Sequence, residues 1–153
     1  MMLSQSHLPI LERSYADIEG TVLAFDFGEK RIGVAAGETL IKTANALTTI
    51  DSELNDVRFA EIAALLAEWQ PKLLIVGLPT YLDGTEHQIT HLAKKFAQRL
   101  EGRFDIPVMM MDERLSSVEA SQQLSEIGIK GREQKTLIDA VAAQVILQSY
   151  FDR

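Results

Sequence analysis

Hydrophobic and polar positions follow two different spacings along the chain, and the spacing changes near residue 50. Before that point, short apolar runs at 21–27, 31–37 and 43–50 are separated by only a few residues. Runs of this length and separation predict three strands joined as an antiparallel meander. The second run contains two glycines, which are typical of a strand whose backbone bends or is approached closely. Residues 1–20 have no clear period and are expected to be an extension of a domain spanning residues 21–153.

Helical spacing of apolar residues begins after residue 50. It predicts one helix over residues 56–69, ended by Pro71, and a second helix with Gly102 just past its end. A third helix is predicted to open at Ser116 and Glu119, which have the spacing of a capping box.

The runs at 72–79 and 105–111 are apolar throughout, as in strands that are covered on both faces. Residues 129–136 are polar and basic and predict a loop, whereas residues 137–151 are apolar nearly all round and predict a buried helix. The resulting order, βββαβαβαα, predicts an α/β fold. Its sheet would be mixed and five-stranded, a meander plus two parallel strands, with helices on both faces.

The amino-acid composition restricts the possible functions of the chain more than it restricts the possible folds. The chain has 153 residues, no cysteine and a net charge of −7. The lack of cysteine excludes disulfides, thiolate nucleophiles and cysteine-ligated metals, and it agrees with a reducing, cytoplasmic location. No apolar run reaches the roughly 20 residues of a membrane span, so no membrane partner is expected. An acidic protein that binds nucleic acid needs a local basic rim, because phosphate contacts supply much of the affinity.

Two acidic positions coincide with the ends of predicted strands. Asp26 lies inside an apolar run between Phe25 and Phe27, where a carboxylate is costly unless it is paired or bound to metal. Asp112 and Glu113 follow the last strand, and neighbours in an extended strand point to opposite faces. One of these two is therefore expected to face the same site as Asp26, and the residues alone do not decide which.

Asp139 has two interpretations of about equal weight. Thr136 and Asp139 have capping-box spacing, and an acid in the first turn suits the helix dipole. The same carboxylate could instead join the acids at the strand ends in a site for hard divalent cations. Two such ions can hydrolyse phosphodiesters, so the three acids together favour a nuclease.

Basic residues near these acids are candidates for holding phosphate groups, although each alone is more typical of a solvated charge. They are Lys30, Arg31, Arg114, Lys130, Arg132 and Lys135. His87 and His91 have the spacing of metal ligands on a helix, but no third ligand is evident and a solvated face is favoured.

Four segments occur in a fixed order: AFDFGEKRIGVAAGE, IVGLP followed by LDGTE, MDERLSS, and LIDAVAAQVIL. Together they resemble the YqgF family of RNase H-like proteins, also known as pre-16S rRNA nucleases and Holliday junction resolvases. The resemblance covers about residues 21–152. It implies a ribonuclease H-like fold in which Asp26, Glu113 and Asp139 are the catalytic residues and metal ligands.

The resemblance also implies a cytoplasmic nuclease that depends on two Mg²⁺ or Mn²⁺ ions and trims the 5′ end of 16S ribosomal RNA. Its partner would be precursor ribosomal RNA, and we expect a monomer or weak homodimer. A resolvase acting on branched DNA is the alternative. The first-strand DxG also resembles the phosphate-binding turn of actin-like ATPases, but those proteins usually need two lobes. A non-catalytic RNA-binding module would be expected to lose the acids.

Overall fold

The computed structural model describes residues 5, 8–15, 17–78, 88–112 and 132–153, with the side chains of Glu12 and residues 132–136 outside that description. Its strands are β1 (Thr21–Phe27), β2 (Arg31–Glu38), β3 (Thr43–Asp51), β4 (Leu73–Leu78) and β5 (Val108–Asp112). Its helices are α1 (Asn55–Trp69), α2 (Gln88–Phe104) and α3 (Arg132–Phe151), and a short 3-10 helix spans Ile10–Glu12.

The strands form one five-stranded sheet in the order β3-β2-β1-β4-β5. The pairs β1–β2 and β2–β3 are antiparallel, whereas β1–β4 and β4–β5 are parallel. The predicted meander and the two added parallel strands are therefore confirmed. The carboxyl ends of β1, β4 and β5 meet at one end of the sheet, where Asp26 and Asp112 lie.

Side chains of the sheet alternate between two hydrophobic cores, one on each face. Leu23 and Phe25 of β1 belong to the core that α1 and α2 cover, and Val22 and Ala24 belong to the core under α3. Burial of each large apolar side chain is worth about 1.5–3 kcal/mol, so both faces contribute substantially to stability. The alternation directs Asp26, the next residue after Phe25, toward α3.

The described part of the predicted extension packs on the sheet. Ile10 joins the core under α1 and α2, and Tyr15 and Ile18 join the core under α3. The 3-10 helix contacts β5 and α2. The segment therefore lies beside an edge strand, whose unpaired backbone groups proteins commonly cover. The domain boundary after residue 20 stays a prediction.

Two predicted boundaries are wrong because of local backbone geometry. Helix α2 continues through Gly102 to Phe104, whose ring packs 6.4 Å from the ring of Phe59. Asp105 then takes the left-handed conformation, with φ 53°, that a glycine was expected to supply. Because of that turn, β5 begins at Val108 rather than at residue 105, and it extends to Asp112.

The predicted loop at 129–136 is wrong for residues 132–136, since α3 begins at Arg132, and residues 129–131 lie outside the described residues. The segment Arg-Glu-Gln-Lys that opens this helix is polar, but all four residue types are good helix formers. Asp139 therefore lies about two turns inside the helix, which excludes the capping box with Thr136. The helix predicted from Ser116 lies outside the described residues.

Candidate functional site

Asp26 is placed at the carboxyl end of β1 by the strand's own hydrogen-bond ladder. It is the residue before Phe27, the last of the strand, and its exposed fraction is only 9%. Its cross-strand partner in β2 is Gly33. Residues directly opposite each other in an antiparallel pair direct their Cβ atoms to the same face, about 4.5–5.5 Å apart. The surroundings of Gly33 therefore show what lies beside the Asp26 side chain.

Helix α3 rests on β2 at Gly33, and the residue that makes this contact is Asp139. A Cβ atom placed on Gly33 would lie 1.8 Å from the Asp139 carbonyl oxygen. Only a residue without a side chain admits so close an approach. Asp139 thus lies on the same face of the sheet as Asp26, next to Asp26's cross-strand partner. Two of the three predicted acids are brought together.

Arg31 completes this group at the first position of β2. Its Nε atom donates to the Asp139 carboxylate, with 2.9 Å between Nε and Oδ2. This hydrogen bond and the charge of Asp139 raise the pKa of Arg31 above its ordinary value. The two side chains are 36% and 22% exposed, so the pair is worth at most about 1 kcal/mol of stability. Its main effect is to orient the carboxylate and the guanidinium.

Asp112 lies on the other side of the sheet. It pairs with Leu78 at the end of the β4–β5 ladder, and it follows Met110 on the face of α1 and α2. Met111 packs against the core under α3. Asp112 therefore does not face the site of Asp26. Glu113 lies outside the described residues.

The structure describes only some of the predicted basic residues. Lys30 is exposed in the turn that joins β1 to β2, directly before Arg31. Arg132 and Lys135 lie in the first turns of α3. Arg114, Lys130 and His87 lie outside the described residues, and His91 is exposed on α2.

Two features of this region were not predicted from sequence. One is the pairing of Arg31 with Asp139, because nothing local connects residues 108 positions apart. The other is the buried Arg58 beside the β1–β2 turn, which resembles any other arginine of an amphipathic helix in the sequence. The close approach at the glycines of β2, in contrast, was predicted from their place in an apolar strand.

The chemistry of the site is that of oxygen ligands beside a cation. Carboxylates such as Asp26 and Asp139 are the ligands that Mg²⁺ and Mn²⁺ prefer. Among the described residues, no group of three His, Cys, Asp or Glu side chains is placed to hold a metal ion. The donor types present fit a hard cation.

Among the helices that the structure describes, none is long and apolar enough to cross a membrane.

Solved structures define the class of fold. The resolvase of Fowlpox virus, in complex with Holliday junction DNA, matches with a TM-score of 0.55 and 14% identity. The match covers 86% of this chain and 97% of that chain. RuvC of T. thermophilus, in complex with a Holliday junction substrate, matches at 0.50 with 16% identity, over 86% and 93% of the two chains. The chain thus has the ribonuclease H-like fold that resolvases use.

Sequence relatives define the family within this class. The model of the family described as RuvX: Holliday junction resolvase matches residues 20–153. A protein of Methylobacillus flagellatus named "Putative pre-16S rRNA nuclease" is 64% identical over 137 residues, which cover 90% of this chain and 94% of the relative. A protein of Dechloromonas aromatica with the same name is 59% identical, over 87% and 91%. The chain belongs to the RuvX family, and the resemblance drawn from its motifs is confirmed.

Proposed function

We propose that this protein is a metal-dependent nuclease that hydrolyses phosphodiester bonds at the 5′ end of the 16S ribosomal RNA precursor. One observation carries the proposal: because Gly33 has no side chain, Asp139 of α3 packs directly on it, and Gly33 is the cross-strand partner of the buried Asp26. A strand acid and a helix acid from distant parts of the chain thereby share one end of the sheet. The names of relatives that are 52–64% identical support the substrate.

Asp26, Glu113 and Asp139 would hold Mg²⁺ or Mn²⁺, with two ions expected. Strand alternation supports Glu113 over Asp112, because Met111 faces α3 and a residue two positions further would face the same way. When bound, divalent ions lower the pKa of an attacking water and stabilise charge on the leaving oxygen. The ladder with β2 fixes the backbone of Asp26 near the end of β1.

Lys30 and Arg31 would hold the RNA backbone beside these acids. Arg31 uses Nε for Asp139 and is about one-third exposed, which leaves its terminal nitrogens available to phosphate oxygens. A local cation is needed here because a chain of net charge −7 repels a polyanion elsewhere on its surface. The basic residues of the α3 start and its approach, Lys130, Arg132 and Lys135, and Arg114 after β5 are the further candidates for this rim.

Branched DNA is the second candidate substrate, and the description of the matched family favours it. The bond that breaks is the same in RNA and DNA, so the acids alone do not distinguish the two. We favour RNA because relatives above 50% identity share the ribosomal RNA name, whereas the DNA-bound structures are only 14–16% identical. We further propose that the enzyme works in the cytoplasm as a monomer or weak homodimer.

Cleavage assays on two substrates test the proposal. A labelled RNA that spans the 5′ end of 16S ribosomal RNA and a four-way DNA junction are incubated with Mg²⁺, Mn²⁺ or EDTA. We expect metal-dependent cleavage of the RNA, loss of cleavage in EDTA and loss in Asp26→Asn. Asp56→Asn is the matched control, because it removes the same charge from the exposed first turn of α1. Cleavage that persists in EDTA or in Asp26→Asn contradicts the proposal, and cleavage of the junction alone selects the DNA substrate.

A further inference from the structure

Arg58 is a buried cation whose hydrogen-bond partners are backbone carbonyl groups. It lies in the first turn of α1 and is 3% exposed. Its Nη2 atom donates to the carbonyl oxygens of Gly28, at 2.8 Å, and Glu29, at 2.7 Å. Its Nε atom donates to the Ser52 carbonyl oxygen in the segment before α1. One guanidinium therefore ties the start of α1 to the β1–β2 turn.

The charge of Arg58 carries an energetic cost at this buried position, which its hydrogen bonds must offset. Burial lowers the pKa of Arg58, which shows that the protein environment disfavours the charged form, although the nearby charge of Glu53 opposes this shift. The guanidinium also lies 5.5 Å from the centre of the Phe27 ring, in a cation–π contact. An apolar residue would avoid the cost of burying a charge, but it would leave the three carbonyl groups without this donor. An arginine here therefore holds the three carbonyl groups in position, which an apolar residue cannot do.

The β1–β2 turn, which Arg58 holds by hydrogen bonds, connects Asp26 of β1 with Arg31 of β2. It follows Asp26 by two residues and ends directly before Arg31. Gly28 makes the turn tight, because a Cβ atom there would lie 2.5 Å from the Arg31 carbonyl oxygen. Lys30 lies within this turn, and Arg31 directly follows it at the end of the β2–β3 ladder, so the turn sets the position of Lys30 and helps to set that of Arg31. Asp26, in contrast, is fixed by the ladder of β1 with β2.

We propose that Arg58 is a positioning residue for substrate binding: it fixes the β1–β2 turn so that Lys30 and Arg31 meet the phosphate backbone. This inference rests on the proposed function, since it takes nucleic acid as the substrate. It assigns no role to Arg58 in metal binding. Loss of Arg58 should weaken RNA binding and raise KM, while kcat and the affinity for metal ions change little.

The experiment compares two buried arginines at opposite ends of the molecule. Arg58→Met removes the hydrogen bonds to the turn, and Arg13→Met removes another buried guanidinium, which pairs with Glu101 near the end of α2. Binding of a fluorescein-labelled single-stranded RNA is measured by anisotropy in EDTA, and cleavage kinetics are measured with Mg²⁺. Both variants are assayed at a temperature where circular dichroism shows them folded.

We expect Arg58→Met to weaken RNA binding and raise KM about tenfold, equivalent to about 1.4 kcal/mol. Its kcat should stay within about threefold, since the effect is on binding rather than on the transition state alone. The slope of log K against log salt should shrink by up to about 1.4, at roughly 0.7 for each of the two phosphate groups that Lys30 and Arg31 no longer neutralise. Arg13→Met should leave KM and the salt slope unchanged.

Arg58→Lys provides a second test that keeps the charge. A lysine cannot reproduce the planar fork that reaches several carbonyl groups, so its KM should lie between those of wild type and Arg58→Met. If Arg58→Met does not fold, Arg58→Lys takes its place in the comparison with Arg13→Met. Equal RNA affinity and salt slope in the Arg58 and Arg13 variants overturn the inference. A wild-type protein that cleaves no nucleic acid overturns the proposed function instead, and binding in EDTA still decides the role of Arg58.

Discussion

Helix α3 meets strand β2 at two glycines, and the two ends of this interface differ in chemistry. At Gly33 the neighbour is the backbone carbonyl of Asp139, and at Gly37 it is the ring of Phe151, which would lie 2.6 Å from an added Cβ atom. Charged residues surround the first glycine, among them Asp26 and Arg31. At both ends the helix therefore packs on a glycine of β2, but the surrounding side chains are charged at one end and apolar at the other.

The Gly37 end is closed by apolar packing. Tyr150 and Phe151 are buried with Ile18 of the N-terminal segment, and the Tyr150 hydroxyl donates to the Tyr15 carbonyl oxygen. This end shows that the helix and sheet can be joined without charge. The carboxylates and the guanidinium at the Gly33 end are thus not required for packing, and a buried carboxylate such as Asp26 costs stability unless it is hydrogen-bonded or paired. The Gly37 end contributes packing stability, and we propose that the chemistry lies at the Gly33 end.

Substitution of Asp139 is expected to change cleavage the most. Asp139→Asn should reduce cleavage by about a hundredfold or more, as for the loss of one electrostatic group in an active site. Its free energy of unfolding should stay within about 1 kcal/mol of wild type, because the ion pair that the substitution removes is partly exposed. Cleavage assays and urea unfolding measure the two effects. Retained cleavage would make Asp139 a structural residue.

Alanine at the two glycines should separate the ends by activity. Gly33→Ala and Gly37→Ala should each destabilise the protein by about 1–3 kcal/mol or more, since each forces atoms apart. Gly33→Ala displaces Asp139 and should also abolish cleavage, whereas folded Gly37→Ala should cleave as wild type does. Thermal unfolding and cleavage below the transition measure both variants. Equal activity in the two variants would contradict the division of roles.

The basic residues near the start of α3 should account for part of the salt dependence of RNA binding. Replacement of Lys130, Arg132 and Lys135 with alanine should reduce the slope of log K against log salt by roughly 0.7 for each phosphate group that is no longer neutralised. Alanine preserves helix propensity, so α3 should remain folded. The control replaces three exposed basic residues that lie at the opposite end of the sheet from Asp26: Lys72, Arg103 and Arg153. A slope equal to that of the control would move the search to Lys30, Arg31 and Arg114.

The smallest expected effect is on the pH dependence of stability and comes from Tyr150. Burial raises the pKa of the Tyr150 hydroxyl above its ordinary value of 10.0, and Asp17 adds to this while Arg153 opposes it. Because the folded-state pKa is the higher one, this contribution to stability is fully present below about pH 10 and is lost as pH rises toward the folded-state pKa. Tyr150→Phe should therefore lose less stability than wild type above pH 10, measured by urea unfolding. Identical pH profiles would show that Tyr150 does not titrate with unfolding.

The sequence predicted the parts of the site that depend on local pattern. Asp26 interrupts an apolar strand, and glycines in β2 indicate a close approach; both signals need only neighbouring residues. The role of Asp139 was ambiguous because the helix was predicted to begin after a polar stretch. The polar residues are instead part of the helix, since they are good helix formers. The contact of Asp139 with Gly33 and the bonds of Arg58 to the β1–β2 turn join distant segments, so no local pattern could indicate them.

The N-terminal segment shows the same limit. Its described residues have no periodicity, yet Ile10, Tyr15 and Ile18 are each buried in one of the two cores. Periodicity detects residues that bury one face of a regular element, whereas this segment reaches the sheet with single side chains. Its packing is a tertiary property that only the folded chain displays.

We propose that Asp26 is a metal ligand, and a calorimetric titration of Mn²⁺ tests this proposal. Wild type, Asp26→Asn and Asp56→Asn are titrated under the same conditions, because the last removes an equal charge from the exposed first turn of α1. Wild type and Asp56→Asn should bind Mn²⁺ alike, and Asp26→Asn should bind at least about tenfold more weakly, because even loss of an outer-shell partner costs about 10–100-fold. Equal Mn²⁺ affinity in wild type and Asp26→Asn would contradict the claim.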